Sequence, residues 1–156
     1  MSRFSLCSAA VLLICSAGAA PAAERTTAYD GMIARYAKAH GVPEAFVHRM
    51  IMRESHYNPR IVHKNCYGLL QIKPATARSM GFGGDPRGLL DPETNLTYAV
   101  PYLANAYGIA GGNEARAATL FSSGYYATAK RKKMLGALQT ASTLAPARQQ
   151  TAKSTP

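Results

Sequence analysis

The sequence predicts a mostly α, single-domain protein. Three observations carry that prediction. Apolar residues recur at helical rather than alternating spacing, proline and capping residues punctuate the chain at helix-length intervals, and 156 residues leave room for one core at most.

The organisation expected along the chain has three parts. Residues 1–22 read as a secretory signal: Arg3 supplies charge, Leu6 to Ala17 is almost wholly apolar, and Ala20-Pro21-Ala22 fits an A-x-A cleavage site. Residues 23–138 form the domain. Residues 139–156, rich in Ala, Thr, Gln, Ser and Pro with Leu144 as their one large aliphatic side chain, are expected to stay disordered. The signal implies export to the periplasm.

Within the domain, Tyr29 to His40 carries Ile33, Tyr36 and Ala37 on one face, and Gly41 is a natural terminator. Pro43 opens a second helix in which Phe46, Val47, Met50 and Ile51 recur, with Asn58-Pro59 as its stop. Lys73 to Met80 is a short helix opened by Pro74, and Gly81 to Gly88 is a loop. Asp91-Pro92-Glu93 combines a capping carboxylate, a first-turn proline and an acid facing the positive helix end; this helix runs to Tyr107, bent at Pro101. Asn113 caps a helix through Phe121, and Tyr126 to Leu138 forms the last one. No strand is expected.

Charge and cysteines restrict the function classes. Lys and Arg number 18 against 8 Asp and Glu, a formal charge of +10 that falls by one when Arg3 leaves with the signal. An exported basic protein points to an anionic partner: nucleic acid, a membrane surface or wall polymer. Zinc-finger, RNP and helix-turn-helix patterns are lacking, which argues against nucleic acid. Cys7 and Cys15 lie in the signal, so Cys66 has no intramolecular disulfide partner. Cys66 with His56 or His63 lacks a nucleophile signature and any zinc spacing, so neither a metal nor a cofactor is expected. The run Lys130-Arg131-Lys132-Lys133 reads first as a solvated helical face, and second as an attraction to anionic wall or membrane. The protein is expected to be a monomer.

Glu54 is the candidate acid–base residue. It stands three, four, seven and eight residues after Ile51, Met50, Val47 and Phe46, which puts its carboxyl on the apolar stripe of the second helix. It also lies in the last turn, where the helix dipole opposes negative charge. Desolvation and the dipole together are the condition for a proton donor near neutrality. The competing reading is a frayed end with Glu54 in solvent beside Arg53 or His56.

The residues that follow narrow this. Glu54-Ser55 with Asn58-Pro59, then Tyr67-Gly68-Leu69-Leu70-Gln71-Ile72, then Pro74-Ala75-Thr76-Ala77 resemble the E-S-x-x-N-P, G-L-M-Q and P-x-T-A motifs of the soluble lytic transglycosylase domain, in the lysozyme-like superfamily. Asp91-Pro92-Glu93 with Asn95-Leu96 and Tyr102-Leu103 resembles its D-P-x-x-N-I…Y-L stretch. The resemblance spans about Tyr29 to Tyr126. It implies a single lysozyme-like domain that cleaves the β-1,4 bond between N-acetylmuramic acid and N-acetylglucosamine in peptidoglycan. Glu54 takes the catalytic position: it protonates the glycosidic oxygen, then removes the C6 hydroxyl proton so that a 1,6-anhydro sugar closes without water. The alternatives are a muramidase, which uses water instead, and a binding protein that no longer cuts.

The same resemblance places substrate contacts at Ser55, His63, Gly68, Leu69, Gln71, Phe121 and Ser122, with a structural role, bonding back to the helix, as the alternative for Ser55. Tyr67, Tyr102 and Tyr125 are further candidates because their rings can stack on sugars. Gln71 offers an amide that both donates and accepts. Three departures stand out. The interval from Glu54 to Gly68 is one residue shorter than is common, and His63 stands where a serine is usual. The family's A-Y-N-A-G appears as Leu120-Phe121-Ser122-Ser123-Gly124, losing a hydroxyl that helps orient the glutamate, for which Tyr125 or Tyr126 is a possible replacement.

Overall fold

The computed structural model describes residues 22–144. The expected leader, but for Ala22, and everything beyond Leu144 lie outside the described residues. Six α-helices, one two-stranded hairpin and three short 3-10 turns make up the described chain. They are α1 (Ala22–His40), α2 (Glu44–Ser55), β1 (Val62–His63), β2 (Cys66–Tyr67), α3 (Pro74–Ser79), α4 (Pro92–Ile109), α5 (Glu114–Ser123) and α6 (Tyr126–Arg131). The mostly α expectation agrees with this architecture.

The central element is α4, which packs on both α1 and α5. Its start follows the sequence signals: the Asp91 carboxylate accepts from the Thr94 N–H at 2.8 Å, and Pro92 fills the first turn. Leu96, Ala99, Val100, Leu103 and Ala106 are wholly buried, and Pro101 is accommodated inside the helix. Asn113 caps α5 in the same way, accepting from Arg116 N at 2.9 Å.

Helix α1 begins seven residues before the expected Tyr29, because no breaker interrupts the stretch from Ala22 and ordinary helix formers simply extend it. It ends where expected, on Gly41 at φ 65°. Helix α2 stops at Ser55, three residues before Asn58: His56 and Tyr57 both take left-handed backbone, at φ 49° and 61°. The buried Tyr57 is held there by its hydroxyl, 2.7 Å from His48 Nδ1.

Two expectations are corrected. The first concerns strands: Val62 pairs with Tyr67 and His63 with Cys66 in an antiparallel hairpin. Its two turn residues, Lys64 and Asn65, lie at φ 48° and 61°, the geometry of a type I′ turn. The second concerns the expected disorder from residue 139, since the chain stays docked through Leu144. Gln139 N donates to Asn105 Oδ1 at 2.8 Å, and Asn105 Nδ2 returns a bond to Gln139 O at 2.9 Å. The side chain of Gln139 also meets His40 Nδ1 at 2.8 Å, and Ala141 N reaches Met80 O at 3.2 Å. A composition poor in apolar residues is ordered here because polar groups are matched one for one. In smaller changes, the expected loop ends in a 3-10 turn over Pro86–Leu90, and the last expected helix breaks at Arg131.

His40 links this docking to pH. The residue is buried, its Nδ1–H donates to the Gln139 amide oxygen, and its buried Nε2 has no partner among the described residues. Burial pushes its pKa below the ordinary 6.5, partly offset by the Gln139 bond. The folded state therefore prefers neutral imidazole, while the unfolded chain takes up a proton as pH falls through about 6.5. Stability should drop as pH falls below that value. Urea midpoints measured from pH 7 to pH 5 should fall in the wild type and fall less steeply in His40→Phe.

Candidate active site

The end of α2, the hairpin, the turn before α3, the middle of α4 and the end of α5 converge on one cavity of 690 Å³. Glu54, His63, Gln71, Tyr102, Phe121 and Ser122 all line it. Sequence reasoning had singled out each of these six. It had assigned no substrate contact to Lys64, Lys73 or Thr76, which line the same cavity.

Glu54 sits in the last turn of α2, its side chain 21 % exposed. The apolar-stripe expectation is thus only partly realised. Arg53 donates to Glu54 Oε1 from both Nε, at 3.1 Å, and Nη2, at 2.6 Å. Among the described residues no hydrogen bond reaches Oε2. Arg53 Nη2 also lies 3.4 Å from Ser122 Oγ, so one guanidinium spans from α2 to α5 beside the carboxylate. Arg53 was named in sequence only as a possible partner in a frayed end. The structure has that pairing with the helix intact.

Opposite Glu54, the Gly68-to-Gln71 turn is fastened from below by Asn95. This wholly buried amide donates to Tyr67 O at 2.8 Å and Leu89 O at 2.9 Å, and accepts from Leu70 N at 3.0 Å. Gly68 stands at φ 71°, and a Cβ there would collide with the Asn95 side chain and the Leu89 carbonyl. Only glycine lets the turn approach α4 this closely. The sequence marks Asn95 only as part of the D-P-x-x-N-I stretch, with no structural role attached to it.

Gln71 differs from its expected double role. Its Nε2 donates to Ile61 O at 3.1 Å and Gly68 O at 2.9 Å, which leaves Oε1 as the group able to engage a ligand, an acceptor. Ser55 is buried, with its hydroxyl 3.2 Å from Ile51 O, and braces the helix instead of meeting the cavity. Leu69 is wholly buried, and Tyr67, Gly68 and Leu69 support the cavity wall without lining it. Ser122 Oγ donates back to Ala118 O at 3.1 Å.

The aromatic residues form a stack. Tyr102 sits between Phe121, at 5.4 Å and edge-on, and Tyr125, at 4.6 Å. Burial pushes the Tyr102 phenol up and carries Tyr125 to about 12. Tyr125 is buried with its oxygen accepting from Asn105 Nδ2 at 3.0 Å. Tyr125 and the exposed Tyr126 line a neighbouring cavity of 520 Å³, not the one holding Glu54. Neither therefore stands in for the hydroxyl missing at Phe121; Tyr102 is the phenol on the Glu54 cavity.

Elsewhere, Cys66 is a free thiol on the cavity wall, its Sγ 3.8 Å from Lys64 O. No cluster of three metal-binding side chains occurs among the described residues. The basic run near the C-terminus is not uniform. Lys132 Nζ binds Ile109 O at 2.7 Å, at the end of α4, while Lys130, Arg131 and Lys133 are exposed.

Among the described residues the cavity combines a single helix-end carboxylate with an amide, hydroxyls and aromatic rings. The family follows from comparison. Residues 31–143 match the model of the transglycosylase SLT domain, and the chain belongs to that family. It is 32 % identical over 106 residues to the soluble lytic murein transglycosylase of Escherichia coli K12, covering 64 % of this chain and 16 % of that protein. It is 33 % identical over 89 residues to the membrane-bound lytic murein transglycosylase C of Cronobacter sakazakii, covering 52 % of this chain and 25 % of the other. The chain thus spans a quarter or less of the length of these relatives. No solved structure matches it.

Removing the Asn95 amide takes the partner from buried Leu70 N and Leu89 O, while Tyr67 O keeps its bond from Ile72 N; each loss costs about 1–3 kcal/mol before relaxation. Asn95→Ala should destabilise the fold by about 3 kcal/mol in urea denaturation. Gly68→Ala should be similarly disruptive, because the added carbon meets backbone that has nowhere to move.

Proposed function

We propose that this protein is a lytic transglycosylase acting on exported peptidoglycan. It cleaves the β-1,4 bond between N-acetylmuramic acid and N-acetylglucosamine, with Glu54 as acid and then base. The observation that carries this reading is the position of Glu54: it is the only acidic side chain lining the cavity among the described residues. Hydrolysis by the usual glycosidase scheme calls for two carboxylates, one to protonate the leaving oxygen and one to attack or to activate water. An intramolecular route needs only one. Protonated Glu54 gives its proton to the glycosidic oxygen as the bond to C1 breaks. The resulting carboxylate then takes the proton of the muramoyl C6 hydroxyl, whose oxygen closes on C1. Glu54 ends protonated, and water is neither consumed nor released.

The other residues fit supporting parts. Gln71 Oε1 accepts from a sugar hydroxyl or acetamido N–H, His63 stands on the cavity wall, and Tyr102 with Phe121 offers apolar ring surface to a sugar face. Export through residues 1–22 places the enzyme in the periplasm beside this substrate. The exposed Lys130, Arg131 and Lys133 are suited to hold it near anionic wall or membrane.

Two measurements test the reading. Mass spectrometry of digested peptidoglycan should give 1,6-anhydro products, one water lighter than hydrolytic ones. Products with reducing ends alone would establish a muramidase. Glu54→Gln should lose at least about a hundredfold in activity, the usual span of acid–base catalysis. Equal, negligible turnover by both proteins would establish a glycan binder instead.

A further inference from the structure

The cavity wall facing Glu54 carries charge that the proposed cleavage does not use. Lys64 is the first turn residue of the β1–β2 hairpin, and Lys73 is the residue immediately before α3, in extended backbone at φ −76° and ψ 142°. Both line the Glu54 cavity, both are exposed, and neither forms an ion pair among the described residues.

Five acids outside the cavity are engaged elsewhere. Glu44 approaches His48, Glu93 pairs with Arg35, Glu114 pairs with Arg49, and Asp85 and Asp91 cap helical turns. Glu54, the one acid on the cavity, is held by Arg53. The cavity thus presents two fixed, unbalanced cations, and a concave wall focuses their field. Their backbones are also constrained, Lys64 by the tight turn and Lys73 by the proline that follows it, so both side chains leave the cavity wall from defined points.

The geometry points to Lys64 and Lys73 as specificity determinants that receive carboxylates of the substrate. This rests on the glycan reading above and deepens it. The N-acetylated sugar backbone is uncharged. In such a polymer carboxylates occur on the lactyl arm of the muramoyl residue, once its peptide is removed, or on the peptide itself. A cavity built for the sugar chain alone has no use for two cations. One that must seat a carboxylate-bearing strand gains both attraction and selection against neutral N-acetylglucosamine polymers.

The experiment compares wild type, Lys64→Gln/Lys73→Gln and Lys64→Arg/Lys73→Arg on three substrates. These are peptide-bearing strands, amidase-stripped strands with free lactyl carboxylates, and neutral N-acetylglucosamine oligomers. Binding is measured in the Glu54→Gln background, so that affinity is read without turnover; KM and kcat are measured with Glu54 intact. The glutamine pair should weaken binding of charged strands about tenfold, raise KM with little change in kcat, and flatten the salt dependence. The arginine pair should retain wild-type behaviour, and neutral oligomers should bind all three proteins alike. A loss confined to peptide-bearing strands assigns the lysines to peptide carboxylates, a loss confined to stripped strands assigns them to the lactyl carboxylate, and a loss on both shows that they receive a carboxylate from either source. An equal loss on neutral oligomers, or none on any charged strand, overturns the inference while leaving the cleavage reading intact. Failure of the wild-type cavity to bind any of the three overturns both.

Discussion

The Asn95 side chain is the constraint on which the cavity depends. An amide placed in a dry interior must satisfy two donors and an acceptor, and Asn95 does so with three backbone groups from two separate segments. Those bonds fix the Tyr67–Leu70 turn and the end of the Pro86–Leu90 turn to α4. Because the hydrogen bonds are shielded from water, loosening one leaves a buried polar group behind, so the arrangement resists gradual deformation. Gly68 is the steric counterpart: the turn can be fastened so near α4 only where no Cβ intervenes. Gln71 inherits its position from this fastening, and its own amide nitrogen reinforces it by binding Ile61 and Gly68.

The same helix organises the other end of the cavity. Tyr102 stands two turns beyond Asn95 and Asn105 one turn further, so one stripe of α4 supplies the turn anchor, the cavity phenol and the docking point of the C-terminal segment. Asn105 binds Tyr125 and both backbone groups of Gln139. The aromatic stack is therefore held by polar bonds at its buried end and by ring contacts at the cavity.

Local signals carried most of the fold and part of the site. Capping carboxylates, prolines and Gly41 act within a few residues, and the helices they bound appear close to where they were read. Glu54 was legible because helical periodicity locates a side chain relative to its own stripe. The hairpin was not, since two-residue strands have no alternation to read; their pairing is decided by the turn. The Lys64-Asn65 pair held a usable signal, because asparagine tolerates left-handed backbone. The docked segment after Leu138 was hidden for a different reason. Its order comes from partners, His40, Met80 and Asn105, that lie 34 to 99 residues away, and composition is blind to such matches. Tyr125 failed as a cavity residue on the same ground: nothing local said that Asn105 would claim its hydroxyl.

Arg53 shows how a departure in one element is answered in another. Where a tyrosine hydroxyl on α5 was to orient the glutamate, Phe121 contributes only a ring, and the polar contact to Glu54 comes instead from the preceding residue of its own helix. A guanidinium fork fixes one carboxylate oxygen more firmly than a single phenol does. Both donors converge on Oε1, so Oε2 is left without a protein hydrogen bond among the described residues. On the proposed mechanism the two oxygens would have separate duties: Oε1 keeps the carboxyl in place, and Oε2 exchanges the proton with substrate. Acid and base steps would then act at one atom, so the glycosidic oxygen and the C6 hydroxyl would have to be presented to it in turn. The walls that would present them are the Asn95-anchored turn and the Tyr102–Phe121 pair, the first held by buried hydrogen bonds and the second by ring contact.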